Sequence, residues 1–238
     1  MRSDARDPES ATTAVGAGRR PGRPWWIVAA AVALLLFATG ILLGRVGAAP
    51  ATPTSESAAA GFLRDMQVHH AQAVQMSMLV RDRSDDDAVR LLAYDIATGQ
   101  GAQAGQMYGL LDAWNLPQAS AQPRMTWMSY PTIDGSGGDH GHAASGASGS
   151  ADSAQKAGGP MPGMATAKQI AKLTAAQGED ADRLFLTLMI AHHQGGVEMA
   201  ESVLHRTDQS QVVAMATQIV ASQKAEITTL REMLKKLG

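Results

Sequence analysis

Two stretches of the chain, Phe62 to Met76 (FLRDMQVHHAQAVQM) and Phe185 to Met199 (FLTLMIAHHQGGVEM), repeat one pattern at a fixed offset of 123 residues. The offset pairs Met66 with Met189, His69 with His192, His70 with His193 and Met76 with Met199. It continues beyond the motif without a gap, pairing Val89 with Val212, Ala93 with Ala216, Ile96 with Ile219, Gln100 with Gln223 and Leu111 with Leu234. A gapless internal repeat of this length carries a whole supersecondary unit, turn included, and it constrains the fold more than any other feature.

Helical periodicity runs from Ala58 to about Arg83, and Ser84 to Asp87 supplies a turn and an acidic cap for a second helix reaching Trp114. In the second half the helices are expected from about Asp180 to Arg206 and from about Ser210 to Leu237, with Thr207 to Ser210 as the turn. Each repeat is thus an αα-hairpin. The segment between them contains a tract at Gly135 to Gly159 whose Gly/Ser/Ala composition cannot bury enough apolar surface to offset the entropy of ordering it. Thr166 and Gln169 form a capping-box signature for a short helix to Leu173. Two hairpins joined by one long connection match the ferritin-like form of the four-helix bundle, so the fold class is all-α. A connection running the length of the bundle would set the first and third helices antiparallel under a pseudo-twofold axis and bring the two His/Met faces together.

The N-terminal region reads differently. Trp25 to Leu43 is an uncharged run of 19 residues, about 28 Å long as a helix and close to a bilayer hydrocarbon core. Arg19, Arg20 and Arg23 precede it and only Arg45 follows closely, which keeps the N-terminus cytoplasmic and exports the remainder. The expected organisation is a cytoplasmic tail at 1–24, a transmembrane anchor at 25–44, a Pro/Thr/Ser spacer at 45–57 and a helical domain at 58–238 with a flexible linker at about 130–163. Gly47-Ala48-Ala49 also resembles a signal cleavage site, but the apolar run exceeds the usual length of a signal core. Either reading places the helical domain outside the cell membrane.

Within each motif Phe, Met, the His pair and the second Met fall in one helical sector roughly 120° wide. Met66 and His70, like Met189 and His193, are i, i+4 neighbours that can hold one ion from consecutive turns. Adjacent His diverge by about 100°, so one faces the core and the other its flank. Ala73, Gly195 and Gly196 leave space for close helix approach or for a ligand. The chain has no Cys and 13 Met, which leaves imidazole and thioether as the soft donors, a set that suits copper, Cu(I) above all. Imidazoles alone would also suit zinc. The competing reading treats the His/Met face as core packing or a partner-helix surface. Asp139, His140 and His142, and the thioethers of Met161 and Met164, are further metal-capture candidates on the linker.

Other classes find little support. A formal net charge of −2 without a basic stripe gives no reason to propose nucleic acid. A di-iron oxidase needs Glu-x-x-His on two helices, which the chain lacks, and Glu198 and Glu201 have Gln75 and Met78 as their first-half counterparts. No enzymatic activity is expected.

The doubled pattern Phe-x-x-x-Met-x-x-His-His, with a Met six residues after the second His, resembles the family catalogued as domain of unknown function 305. The resemblance covers about Ala58 to Gly238 on Phe62, Met66, His69, His70, Ala73 and Met76, then Asp182, Phe185, Met189, His192, His193 and Met199. It implies a ferritin-like helical bundle, often exported, some members of which, of the CopM type, bind copper and contribute to copper resistance. Ala59 stands where the first copy would carry the family's Asp, and Gly196 replaces the second Ala. The missing Asp puts in doubt any hydrogen bond that would orient a first-half His, so the second half is expected to be the better-formed site. The functional expectation is an anchored extracytoplasmic bundle that binds a metal, copper before zinc, for sequestration or handover to a donor or acceptor protein. Its ligands are His69, His70, His192, His193, Met66, Met76, Met189 and Met199.

Overall fold

The computed structural model describes residues 25–46, 52–135 and 157–238. Among them lie six α-helices, α1 (Trp25–Val46), α2 (Ala58–Arg81), α3 (Asp87–Ala113), α4 (Ala167–Ala175), α5 (Gly178–Leu204) and α6 (Ser210–Lys236), with a 3-10 turn at Thr126–Ser129 and no strand. Chain contacts divide at Pro50/Ala51 into two units.

The first unit contributes α1, 22 residues long. Its described side chains, Ile27 to Ile41, are all exposed, with Leu34, Leu35 and Phe37 each at 70%. Among the described residues no helix is long and apolar enough to cross a membrane, so the span expected at 25–44 is not established by the fold.

In the second unit local chemistry sets the helix ends. Ser57 Oγ accepts from the Ala60 amide at 3.2 Å, and Asp86 Oδ1 accepts from Ala88 and Val89 at 2.7 and 3.2 Å. Thr166 and Gln169 form the expected capping box on α4. Gly178, at φ +54°, opens α5, and Glu179 and Asp180 place negative charge at its positive end. The Gly135–Gly159 tract and the His140/His142 pair lie largely or wholly outside the described residues.

α2 packs along α3 and α5 along α6, and the two hairpins meet through α2 and α5. Residues early in α2 share an apolar cluster with residues late in α5, among them Phe62, Met66, Met199 and Val203. Residues late in α2 share a second cluster with early α5, among them Met76, Val80, Phe185 and Met189. The central helices therefore run antiparallel. Each hairpin turn carries an arginine at the repeat offset that ties down the connecting segment. Arg83 Nε donates to Thr174 O at 2.7 Å, and Arg206 Nε donates to Tyr130 O at 2.9 Å. Tyr130 and Thr174 thus mark opposite ends of the unit, and the connection between the hairpins spans its length.

The 3-10 turn closes one end. Trp127 packs edge-on to Phe62 with ring centroids 5.6 Å apart, and its Nε1 donates to Asp65 at 2.9 Å. Met125 and Met128 are buried beside it, in the covering role their position near Trp127 implies.

Candidate metal centre

The two apolar clusters are separated by a buried polar layer. His69, His70, His192 and His193 are all 0% exposed, and Gln100 and Gln223, at 4% and 1%, lie buried on α3 and α6. The antiparallel crossing of α2 and α5 brings the motifs together at their centre. The His69 and His192 rings stack with centroids 3.8 Å apart and planes 32° from parallel. The 100° between adjacent helical residues sends the second His of each pair outward. His70 turns to Gln103 on α3, and His193 turns to Glu226 on α6.

All four rings are held through Nε2. His69 Nε2 donates to Pro162 O at 3.0 Å and His192 Nε2 to His69 O at 3.0 Å. His70 Nε2 donates to Gln103 Oε1 at 2.8 Å and His193 Nε2 to Glu226 Oε2 at 2.5 Å. Each partner oxygen accepts, so each ring carries a proton on Nε2, and in a neutral ring the lone pair then falls on Nδ1. None of the four Nδ1 atoms has a hydrogen-bond partner among the described residues, and neither do the amide atoms of Gln100 and Gln223. Buried polar atoms are ordinarily paired, so this concentration in one layer makes it the candidate site of the fold. Fixed imidazoles whose Nδ1 has no hydrogen-bond partner fit a soft or borderline cation.

Burial also keeps His69, His70 and His192 neutral. Desolvation, then the neighbouring His70, pull His69 down to about 3. Desolvation takes His70 to about 4 against the opposing hydrogen bond from Gln103, and takes His192 well below its ordinary value with help from His69, His193 and His70. A neutral ring is the form that ligates a metal.

Met66, Met76, Met189 and Met199 are all fully buried. They stand on both sides of the His layer, Met66 and Met199 in one cluster, Met76 and Met189 in the other. Among the described residues no three His, Asp or Glu side chains are gathered as a ready-made cation cage, because His70 and His193 point away from the central stack. Any site built here combines one or two imidazoles with thioethers rather than four imidazoles around one ion.

The segment from Met161 to Ala165 straps the layer. Pro162 supplies the carbonyl that holds His69, and Gln72 grips Ala165 through both backbone groups, at 2.9 and 2.6 Å. The space beside Gly195 is filled by the Pro162 carbonyl, and the space beside Gly196 by the Gln223 amide. Gly163, at φ +71°, turns the strap against the α5 backbone. Met161 is buried, and Met164 packs half-buried on the cluster of Phe62 and Trp127. His205 caps the C-terminal end of α5, remote from the layer.

One expectation fails. Asp182 does not orient a His, since it lies beside Ser84 at the turn of the first hairpin. Ring orientation is carried by Gln103, Glu226 and two backbone carbonyls instead. Gln103 and Glu226 were legible only through the 123-residue offset, which pairs them 33 residues after the second His of each motif.

The fold and the layer define a class, an internally duplicated all-helical bundle with a buried His/Met layer between its halves. The chain belongs to the family described as Domain of unknown function (DUF305), whose model matches residues 59–234. Among solved structures it is similar to a putative secreted DUF305 protein from Streptomyces coelicolor, with 42% identity over 78% of this chain and 96% of that one and a TM-score of 0.63. A DUF305 fragment from Deinococcus radiodurans shares 31% identity over 79% and 99% of the two chains, with a TM-score of 0.57. CopM in its Cu(I)-bound form shares the fold at 20% identity over 74% and 94%, with a TM-score of 0.51. No curated protein matches the chain.

Proposed function

We propose that the chain binds copper as cargo, through a duplicated His-His/Met motif, and limits or hands on the metal outside the cell membrane. The observation that carries this reading is the set of four buried imidazoles with Nε2 engaged and Nδ1 without a hydrogen-bond partner among the described residues. His69, His70, His192 and His193, with Met66, Met76, Met189 and Met199, would hold the ion. The divergence of His70 and His193 favours a separate site in each half, such as Met66 with His70 and Met189 with His193. Thioether beside imidazole favours Cu(I) over zinc, whose usual donors are thiolate, imidazole and carboxylate rather than thioether. CopM, a protein of the same fold, is known in Cu(I)- and Cu(II)-bound forms, which adds support for this ligand.

The same reading makes the domain ferritin-like and non-enzymatic, joined through the spacer at 45–57 to α1 as a membrane anchor. The 19-residue uncharged run and the exposed apolar side chains of α1 support the anchor. Arginines ahead of the run support export of residues 58–238, whereas a cleaved signal would release them.

Packing is the rival role for the layer, favoured by the central stack and by Met side chains seated in apolar clusters. Anaerobic Cu(I) titration against a competing chelator separates the two, with alanine at all four His as control. Tight binding lost in the variant is the expected result. Equal, weak binding by both proteins would sink the copper assignment. A cargo ion that prefers the folded state also raises the melting temperature, by an amount set by its concentration over Kd.

A further inference from the structure

We propose that Glu226 is a positioning residue that makes the two halves of the layer unequal, holding His193 and supplying the negative charge a bound monovalent cation needs, while Gln103 gives His70 the hydrogen bond without the charge. The inference rests on the metal-binding reading above.

The repeat isolates the difference. Across the 123-residue offset the imidazole and thioether positions are identical, as are the buried amides Gln100 and Gln223. The partner of the outward His is a carboxylate in one half and an amide in the other. Both oxygens accept from Nε2, at 2.5 Å for Glu226 and 2.8 Å for Gln103, so both fix the same tautomer and present the same Nδ1. Geometry is shared and charge is not.

Charge matters here because the ligands are 0% exposed. Moving a cation from water into such a layer is unfavourable unless a counter-charge is at hand. In the second half a carboxylate touches the far nitrogen of the ligand ring, an arrangement that also raises the basicity of the ligating nitrogen. The Glu226 side chain is 32% exposed, so it reaches the buried ring from the surface at little desolvation cost of its own. Lys224, the nearest lysine in sequence, is engaged by Glu201 at 2.7 Å and does not compete for it. In the first half the partner of His70 is a neutral amide, which gives a cation there no counter-charge. The second half therefore fills first.

The test uses the full chain and Cu(I) itself, titrated anaerobically against a chelator, for the unmodified protein, E226Q and Q103E. Two unequal binding steps are expected. E226Q, which keeps the hydrogen bond and removes the charge, should weaken the tighter step by roughly 10- to 100-fold, the range for changing the outer partner of a metal ligand. Q103E should tighten the weaker step by a comparable factor, a gain that misfolding cannot produce. Nitrogen-resolved NMR of the metal-free imidazoles adds a readout independent of loading. His193 should carry its proton on Nε2 in the unmodified protein and in E226Q, and lose that preference in E226L. Unequal binding unmoved by E226Q and Q103E, or a metal-free His193 protonated at Nδ1, overturns the proposal and leaves copper binding intact. Failure of the unmodified chain to bind Cu(I) overturns both.

Discussion

Replacing Gly195 by alanine sets two effects of opposite sign against each other, and the structure decides between them. In an open helix the change stabilises by about 1 kcal/mol, because glycine has more backbone freedom to lose on folding. On α5, however, the added Cβ would land on the backbone of Pro162 and Gly163. Backbone pinned on both sides cannot yield as a flexible side chain can, so the strap must lift. His69 Nε2–H then loses its acceptor in a fully buried site, at about 1–3 kcal/mol. The two hydrogen bonds between Gln72 and Ala165 go with it, at about 1 kcal/mol each, and part of the burial of Met161 is lost. Net destabilisation of about 3 kcal/mol is expected after the helix-propensity gain is subtracted. For a domain of this size that lowers the melting temperature by roughly 6–12 °C. Gly101, on α3 with nothing within 4 Å of an added Cβ, is the control, and alanine there should stabilise by up to about 1 kcal/mol. Urea unfolding of both variants, followed by circular dichroism, measures the difference. A Gly195→Ala protein as stable as Gly101→Ala would refute the strap as a structural member.

Further outcomes follow from the polar core. His69, His70 and His192 have folded pKa values depressed below the unfolded value of about 6.5, so the unfolded chain takes up their protons first. Stability of the metal-free protein is then full above pH 6.5 and falls as the pH drops toward 4. Each ring that stays neutral accounts for about 2 kcal/mol between pH 7.5 and 5. The raised pKa values of Asp65 and Asp182 act in the opposite sense at the acid end and offset part of the loss. A urea midpoint independent of pH from 7.5 to 5 would contradict this. Asp65→Ala strips the acceptor from the Met125 amide and from Trp127 Nε1. A cost of about 2–4 kcal/mol is expected, with a change in Trp127 fluorescence as the end of the bundle loosens.

Much of this molecule can be read from one line of text, and the reason is duplication. A gapless offset exposes what two copies share, so the hairpins, their turns and the His/Met face emerged together, with helix ends displaced by only a few residues. The capping pattern at Thr166 and Gln169 was equally legible because capping depends on neighbours three residues apart. Gly195 and Gly196 signalled crowding without saying what would crowd them. The Asp of the family pattern misled, since nothing in its spacing tells which end of an antiparallel partner it meets.

What the sequence determined by itself is the local and the periodic: which segments are helical, which face of each is apolar, and which residues recur. The tertiary structure decided every relation between segments distant in the chain. Antiparallel packing stacked His69 on His192, turned His70 and His193 to opposite outer helices, and laid the Pro162 carbonyl over the layer. Whether a buried imidazole has a partner on one nitrogen or both depends on contacts across 33, 93 and 123 residues. Helical periodicity reaches four residues along the chain, and only the packing of one helix on another sets which lone pairs remain free.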